Sequence, residues 1–143
     1  MPKLVIMRGL PASGKTLYSF GLVKQGYKRI NFDDLRLMMD NGEYSKANEA
    51  FVVDCAQTMT VLALQSGLNV VYDNVNFNPY HIQWARALTK QLNAELEIVD
   101  MTTSLEECLE RDLNRTSGRV GKSVILKLYD KYFVDGKYPE VIL

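Results

Sequence analysis

The stretch that most constrains the fold comes at once: KLVIMR at residues 3–8, then GLPASGKT at residues 9–16. The first six residues are short, apolar and β-branched enough for a buried strand. A loop from Gly9 to Lys15 follows, and a helix-forming run from Thr16 to Lys24 ends near Gly26. A strand that passes through a glycine loop into a helix opens a β–α–β unit, and the rest of the chain keeps the alternation. Strands are expected at residues 27–32 (YKRINF), 68–72 (LNVVY) and 94–101 (AELEIVDM). A short helix is expected from Asp33, as its cap, through Asp40, and a long one over 44–65, apolar on much of its surface and so well buried. Further helices are expected over 80–92, from a capping box at Ser104 and Glu107 to about Thr116, and over 123–133. Asn41-Gly42 and Ser66-Gly67 end helices, residues 117–121 (SGRVG) form a short flexible break, and the tail from Val134 is loop with room for a short strand. Strands alternating with helices imply an α/β fold: a parallel sheet of about four or five strands, helices on both faces, right-handed crossovers.

Composition sets the outer limits. A length of 143 residues fits one domain with a proper core, with no linker or repeat visible. With 47% apolar and 24% charged residues the chain reads as globular, not as a disordered tail. Its 17 basic and 17 acidic residues cancel, whereas a protein that coats long duplex DNA is usually more basic; any nucleic-acid contact should be local, a few nucleotides at an end. Cys55 and Cys108 lie in helical stretches without CxxC spacing and read as buried reduced thiols. With His81 the one histidine, no His/Cys metal site is expected. Met1-Pro2-Lys3 leads directly into the first strand and no run approaches about 20 apolar residues; a cytosolic protein with no membrane partner is expected.

Gly9-Leu-Pro-Ala-Ser-Gly14-Lys15-Thr16 matches GxxxxGK[ST] in full, between a strand and a helix. Each part has a physical reason. The glycines let the backbone curl until the N–H groups of residues such as Ala12, Ser13 and Gly14 point inward at phosphate oxygens. The following helix offers its positive end. Lys15 reaches the β- and γ-phosphates, and the Thr16 hydroxyl suits Mg²⁺. ATP or GTP binding follows; the loop does not say whether the γ-phosphate passes to water or to an acceptor.

Three further clusters bear on the acceptor. Asn31-Phe-Asp33-Asp34-Leu-Arg36 follows the second strand, at the carboxyl edge of the sheet where open α/β folds bind ligands. A carboxylate there can take the proton of an attacking hydroxyl; the plainer alternative makes Asp33 a helix cap. Asp73-Asn74-Val-Asn76 follows the third strand on the same edge, where the acid would touch a metal's water shell or position Arg36, or else the segment is a polar turn. Arg111 and Arg115 lie four apart on one helical face before SGRVGK. Two guanidinium groups can neutralise transferring phosphate, and the flanking glycines suit a closing lid at about 111–122; the alternative is a solvated, dipole-favoured helix end.

With these residues in view the chain resembles the kinase domain of bacteriophage-type polynucleotide 5′-kinases, among the P-loop kinases of the zeta-toxin and adenylate-kinase-like kind. The resemblance runs from Lys3 to about Phe133 and is carried by the loop together with NFDDLR, DNVNFNP and ERDLNR. It implies a P-loop kinase fold with a helical lid, and ATP-dependent transfer of phosphate to the 5′-OH end of DNA or RNA. Asp33 would be the general base, Arg36 would hold the phosphate on the 3′ side of the first nucleotide, and Asp73 or Asn74 would support Arg36 or the metal's waters. Lys15 and Arg115, with Arg111 nearby, would contact the nucleotide phosphates bound by the loop from Gly9, and Thr16 would carry Mg²⁺. The chain departs from the pattern in three places: Phe32 stands where an arginine precedes the two acids, one extra residue separates Asp73 from Pro79, and SGRVG replaces a proline-containing lid segment. Phe32 would alter the grip on nucleic acid or offer a ring for stacking a base. No phosphatase motif is present, so kinase activity alone is expected, in a cytoplasm and compatible with a viral origin. Two other readings stand beside it: a small-molecule kinase acting on a nucleoside, sugar or antibiotic, and a nucleotide-binding NTPase with no acceptor.

Overall fold

Which stretches carry uninterrupted apolar residues decides the centre of the molecule. In the computed structural model, which describes residues 1–141, four strands pair in the order β2-β3-β1-β4. They are β1 (Lys3–Arg8), β2 (Lys28–Ile30), β3 (Val70–Asp73) and β4 (Glu95–Asp100). Every pairing is parallel, with Val5 opposite Val71 and Ile6 opposite both Tyr72 and Ile98. β1 and β3 hold the two central places and are buried almost throughout, as parallel strands covered on both faces must be. β2 and β4 lie at the edges and expose part of their length.

Six helices complete the fold: α1 (Lys15–Lys24), α2 (Phe32–Asp40), α3 (Lys46–Gln65), α4 (Pro79–Leu92), α5 (Leu105–Leu113) and α6 (Lys122–Tyr132). Leu4, Ile6, Val70 and Tyr72 pack on one sheet face against Val52, Ala56 and Leu64 of α3 and Ile82 and Ala85 of α4. Val5, Met7 and Val71 face the other way, against Leu22 of α1 and Tyr27. Each aliphatic side chain buried in this manner contributes on the order of 1.5–3 kcal/mol. A third cluster, Leu10, Phe77, Cys108 and Ile125, seats α5 and α6 beyond the strand ends.

The expected elements all form, and their edges move for local reasons. α2 begins at Phe32, two residues earlier than a cap at Asp33 would place it, because Asn31 and not Asp33 is its cap: Asn31 Oδ1 accepts from the Asp34 N–H at 2.8 Å. β2 is correspondingly shorter. α3 begins at Lys46 because Ser45 caps it, accepting from the Asn48 N–H at 3.1 Å, which leaves Tyr44 outside in the turn. α3 is buried on one side only: Val52, Ala56, Thr60, Ala63 and Leu64 face the core while Phe51, Met59 and Leu62 face solvent. Ser104 caps α5 through the Glu107 N–H at 3.2 Å, but the Glu107 carboxylate turns to Arg111, so only half of the capping box forms. The tail makes one antiparallel bridge, Val134 to Lys137, and residues 142–143 lie outside the described residues. Cys108 is buried and Cys55 half-buried, both as free thiols. No helix among the described residues is long and apolar enough to cross a membrane.

Candidate active site

The carboxyl ends of β1, β2 and β3 empty into one cleft of about 600 Å³. The loop after β1 forms its floor. Ala12 (φ 67°) and Gly14 (φ 97°) carry the left-handed conformations that curl the backbone. A Cβ on Gly9 would run into Ser13 Oγ and press on Met101, so a side chain at that position would have to displace both. Lys15 folds back across it, its ammonium donating to the carbonyls of Gly9 (2.8 Å) and Leu10 (2.9 Å). Burial pushes the Lys15 pKa down to about 8, against the opposing pull of Asp73. α2, α3, α4 and α5 each begin with a side-chain cap and α6 does not; α1, which starts at Lys15 behind Gly14, likewise has none. Its first N–H groups therefore point into the cleft beside Thr16, whose side chain lines the same wall. Ser13 and Ala12 are buried in the curl, and Thr103 braces it from outside by donating its hydroxyl to the Ser13 carbonyl at 2.7 Å.

The acidic wall is built on α2. Asp33 stands exposed at the rim, free of any capping duty, and its Oδ1 accepts from Arg36 Nη1 at 2.6 Å. Arg36 is gripped from its other side by Glu49 of α3, which accepts from Nε at 2.9 Å and Nη2 at 2.7 Å. The Glu49 bonds lead in raising the Arg36 pKa above its ordinary value. Three of the five guanidinium N–H donors are thus committed and two have no partner among the described residues.

Asp73, at the end of β3, is 1% exposed and does not reach Arg36. Its Oδ2 accepts from Arg29 Nε at 2.8 Å, and Arg29 also pairs with Asp34. Burial alone would lower the Arg29 pKa, but Asp34 and Asp73 outweigh it and hold the guanidinium above its ordinary value. Asn74 ties β3 to α2 by accepting from the Phe32 N–H at 2.7 Å, and its buried Nδ2 has no partner among the described residues. Asn76, at φ 57°, donates to the carbonyls of Met7 (2.7 Å) and Tyr72 (3.1 Å), fastening the turn onto the ends of β1 and β3.

Phe32 is not a free ring. It packs edge-on to Tyr72 at 5.4 Å and tilts against His81 at 5.7 Å, because the first residue of α2 faces the sheet. Burial lowers the His81 pKa, which keeps the imidazole neutral at pH 7. Arg115 lines the cleft opposite, its Nη1 donating to the Gly118 carbonyl at 3.2 Å. Arg111 stands beside Gly14 and pairs with Glu107 at 3.4 Å. The segment between α5 and α6 is anchored: Asp112, 2% exposed, accepts from the N–H groups of Val120 (2.8 Å) and Gly121 (2.9 Å).

Of the residues singled out in the sequence, the cleft gathers Ala12 to Thr16, Asp33, Arg36, Asp73, Asn74 and Arg115; Gly9 and Arg111 lie behind its floor. Glu49, Arg29 and Thr103 went unread. Glu49 is 13 residues from Arg36 and Arg29 is 44 from Asp73, so no local spacing announces either pair.

Comparison with known proteins bears on the family and the fold. The chain is 28% identical over 166 aligned residues to a protein of Autographa californica nuclear polyhedrosis virus named as a bifunctional polynucleotide kinase/RNA ligase. That alignment covers 99% of this chain and 24% of the viral protein, so the chain spans about a quarter of its curated relative. A chain of the Pnkp1/Rnl/Hen1 RNA repair complex superposes with a TM-score of 0.77 at 22% identity, over 99% of this chain and 50% of that one. The APS kinase CysC of Mycobacterium tuberculosis, in complex with AMPPNP and APS, superposes at 0.62 and 21% identity, over 97% and 83%. A family model described as an AAA domain matches residues 4–132, from β1 to the end of α6. With its glycine cradle, its four-stranded parallel sheet and this match, the chain belongs to the AAA domain family and has a P-loop kinase-like α/β fold.

Proposed function

We propose that the chain is an ATP-dependent polynucleotide 5′-hydroxyl kinase domain. One observation carries the reading: a cleft floored by a phosphate cradle has, on its opposite wall, an exposed carboxylate joined to a guanidinium with two N–H donors to spare. Hydrolysis needs no such guanidinium. An acceptor whose hydroxyl is followed by a phosphate does, and a 5′-OH polynucleotide end is that acceptor. The viral relative named as a polynucleotide kinase supports the same choice.

In this reading the 5′-hydroxyl sits at Asp33 and the next phosphate at Arg36, which Glu49 holds in place. Asp33 takes the hydroxyl proton as the 5′-oxygen bonds to the γ-phosphorus. The bond from that phosphorus to the β,γ-bridging oxygen breaks, and ADP leaves. Lys15, the α1 N-terminus and Arg115 receive the developing charge. Residues 111–122 serve as the lid, with Arg111 bracing the loop. Mg²⁺ fits the donor set: the Thr16 side chain lines the cleft with no hydrogen bond of its own among the described residues, and Asp73 leaves Oδ1 without a bond. When bound, the ion neutralises charge on the β- and γ-phosphates.

The test is transfer of labelled γ-phosphate to a 5′-OH oligonucleotide, beside a free nucleoside and a reaction without acceptor. Label on the oligonucleotide is expected, and Asp33→Asn should lower the rate by about 10²–10⁴-fold. Zero net charge and likeness in fold to an APS kinase favour a small-molecule acceptor as the second reading. Label on the nucleoside alone would establish it, and free phosphate alone would indicate an NTPase.

A further inference from the structure

Beyond Arg36, along the same wall, the turn between α2 and α3 presents one aromatic ring. Asn41 (φ 53°) and Gly42 (φ 80°) reverse the chain after α2, and the Ser45 cap starts α3 at Lys46, which leaves Tyr44 outside the helix. Tyr44 is therefore held at the cleft and yet is 70% exposed. The Arg36 guanidinium carbon lies 5.8 Å from its ring centroid, and Glu49 fixes that guanidinium, so the ring has a rigid neighbour while most of its surface stays exposed. The other rings of the cleft are engaged: Phe32 with Tyr72 and His81, and Phe77 with Tyr132 and Phe133. Tyr44 makes no ring–ring contact among the described residues.

We propose that Tyr44 is the stacking platform for a nucleobase at the 5′ end of the acceptor. This rests on the polynucleotide reading above and adds to it a subsite. A phosphate on the two open donors of Arg36 joins the first and second nucleotides, so both of their bases lie within a nucleoside's reach of that guanidinium. A tyrosine ring offers any base a flat apolar face without hydrogen-bond readout, so the subsite selects for the presence of a base and not for its identity. It also supplies the acceptor affinity that a chain of zero net charge does not gain from a basic surface.

The experiment uses 5′-OH oligonucleotides carrying 2-aminopurine at the first or at the second position, read by fluorescence and by phosphate transfer. The protein should quench one of the two probes, which identifies the base. Tyr44→Ala should abolish that quenching and raise acceptor KM by about 10–100-fold with little change in kcat, while Tyr44→Phe keeps both. An abasic residue at the quenched position should remove the difference in KM between Tyr44→Ala and the unaltered protein. Unchanged quenching and KM in Tyr44→Ala would overturn the proposal while the kinase reading stands. A fall in kcat without a rise in KM would also overturn it, since the ring would then act only through Arg36. No transfer by the unaltered protein to any oligonucleotide would remove the polynucleotide reading, and this subsite with it.

Discussion

At the scale of single residues, Lys15 carries a testable pH dependence. Its pKa lies at about 8, below the ordinary 10.5, because burial penalises the ammonium. Between those two values the unfolded chain binds more protons than the folded one, so the ligand-free protein gains stability from Lys15 as pH rises through that window. Nucleotide binding has the opposite sense, since a polyphosphate favours the charged form. Affinity should be full below about pH 8 and then weaken by up to about tenfold per pH unit until the pKa of the complex is reached. Titrating a fluorescent nucleotide at pH 7, 8 and 9 checks this, and Lys15→Met should flatten the slope; a slope that survives in Lys15→Met would assign it elsewhere. Lys15, Thr16, Asp33 and Arg36 were legible in the sequence because loop chemistry and close spacing announce them. Glu49 and Arg29 were not, because an ion pair between distant segments leaves no periodic trace. Asp73 was read as touching a metal's water shell or positioning Arg36; its observed partner is Arg29, in a strand whose pattern spoke only of burial.

At the scale of elements, the alternation of strands and helices was legible throughout, and what escaped was where each one starts. Asn31, Asp33 and Asp34 can all cap a helix, and choosing among them takes the backbone of Asn31, extended at φ −140°, with its second tie to the Asp73 carbonyl at 2.7 Å. Residues 117–121 read as a flexible break because glycine permits one. The restraint comes from Asp112, whose carboxylate binds two backbone N–H groups of the following loop. Asp112→Ala should cost about 2 kcal/mol of stability. It should also speed amide exchange selectively over 114–121 and raise KM for ATP as Arg115 loses its anchorage. Exchange rates in that loop equal to those of the unaltered protein would show that the carboxylate does not hold it.

At the scale of the whole molecule, basic and acidic residues balance at 17 each, and the acceptor wall itself sets two carboxylates on Arg36. Such a surface offers a long polyanion little beyond its end. Under the proposed polynucleotide kinase reading, acceptor KM should therefore stop falling beyond about three nucleotides, and its logarithm should rise with log salt at a slope of about 1, as expected for one or two neutralised phosphates. A KM that kept improving up to twenty nucleotides, or a slope several times steeper, would point to an extended basic track. Fold class and the phosphate cradle followed from the order of elements along the chain; the bracing of the cradle did not, because Thr103 and Arg8, the latter doubly bonded to Asp100 at 2.7 and 2.9 Å, act across strands distant in sequence. One consequence of Lys15 lying across its own loop concerns speed. The curl is already closed by two carbonyl bonds from the ammonium, so an arriving nucleotide meets a finished shape and has only to trade places with those carbonyls. Binding at the loop is then expected to be an exchange of partners at the ammonium, faster than a capture that had first to build the curl.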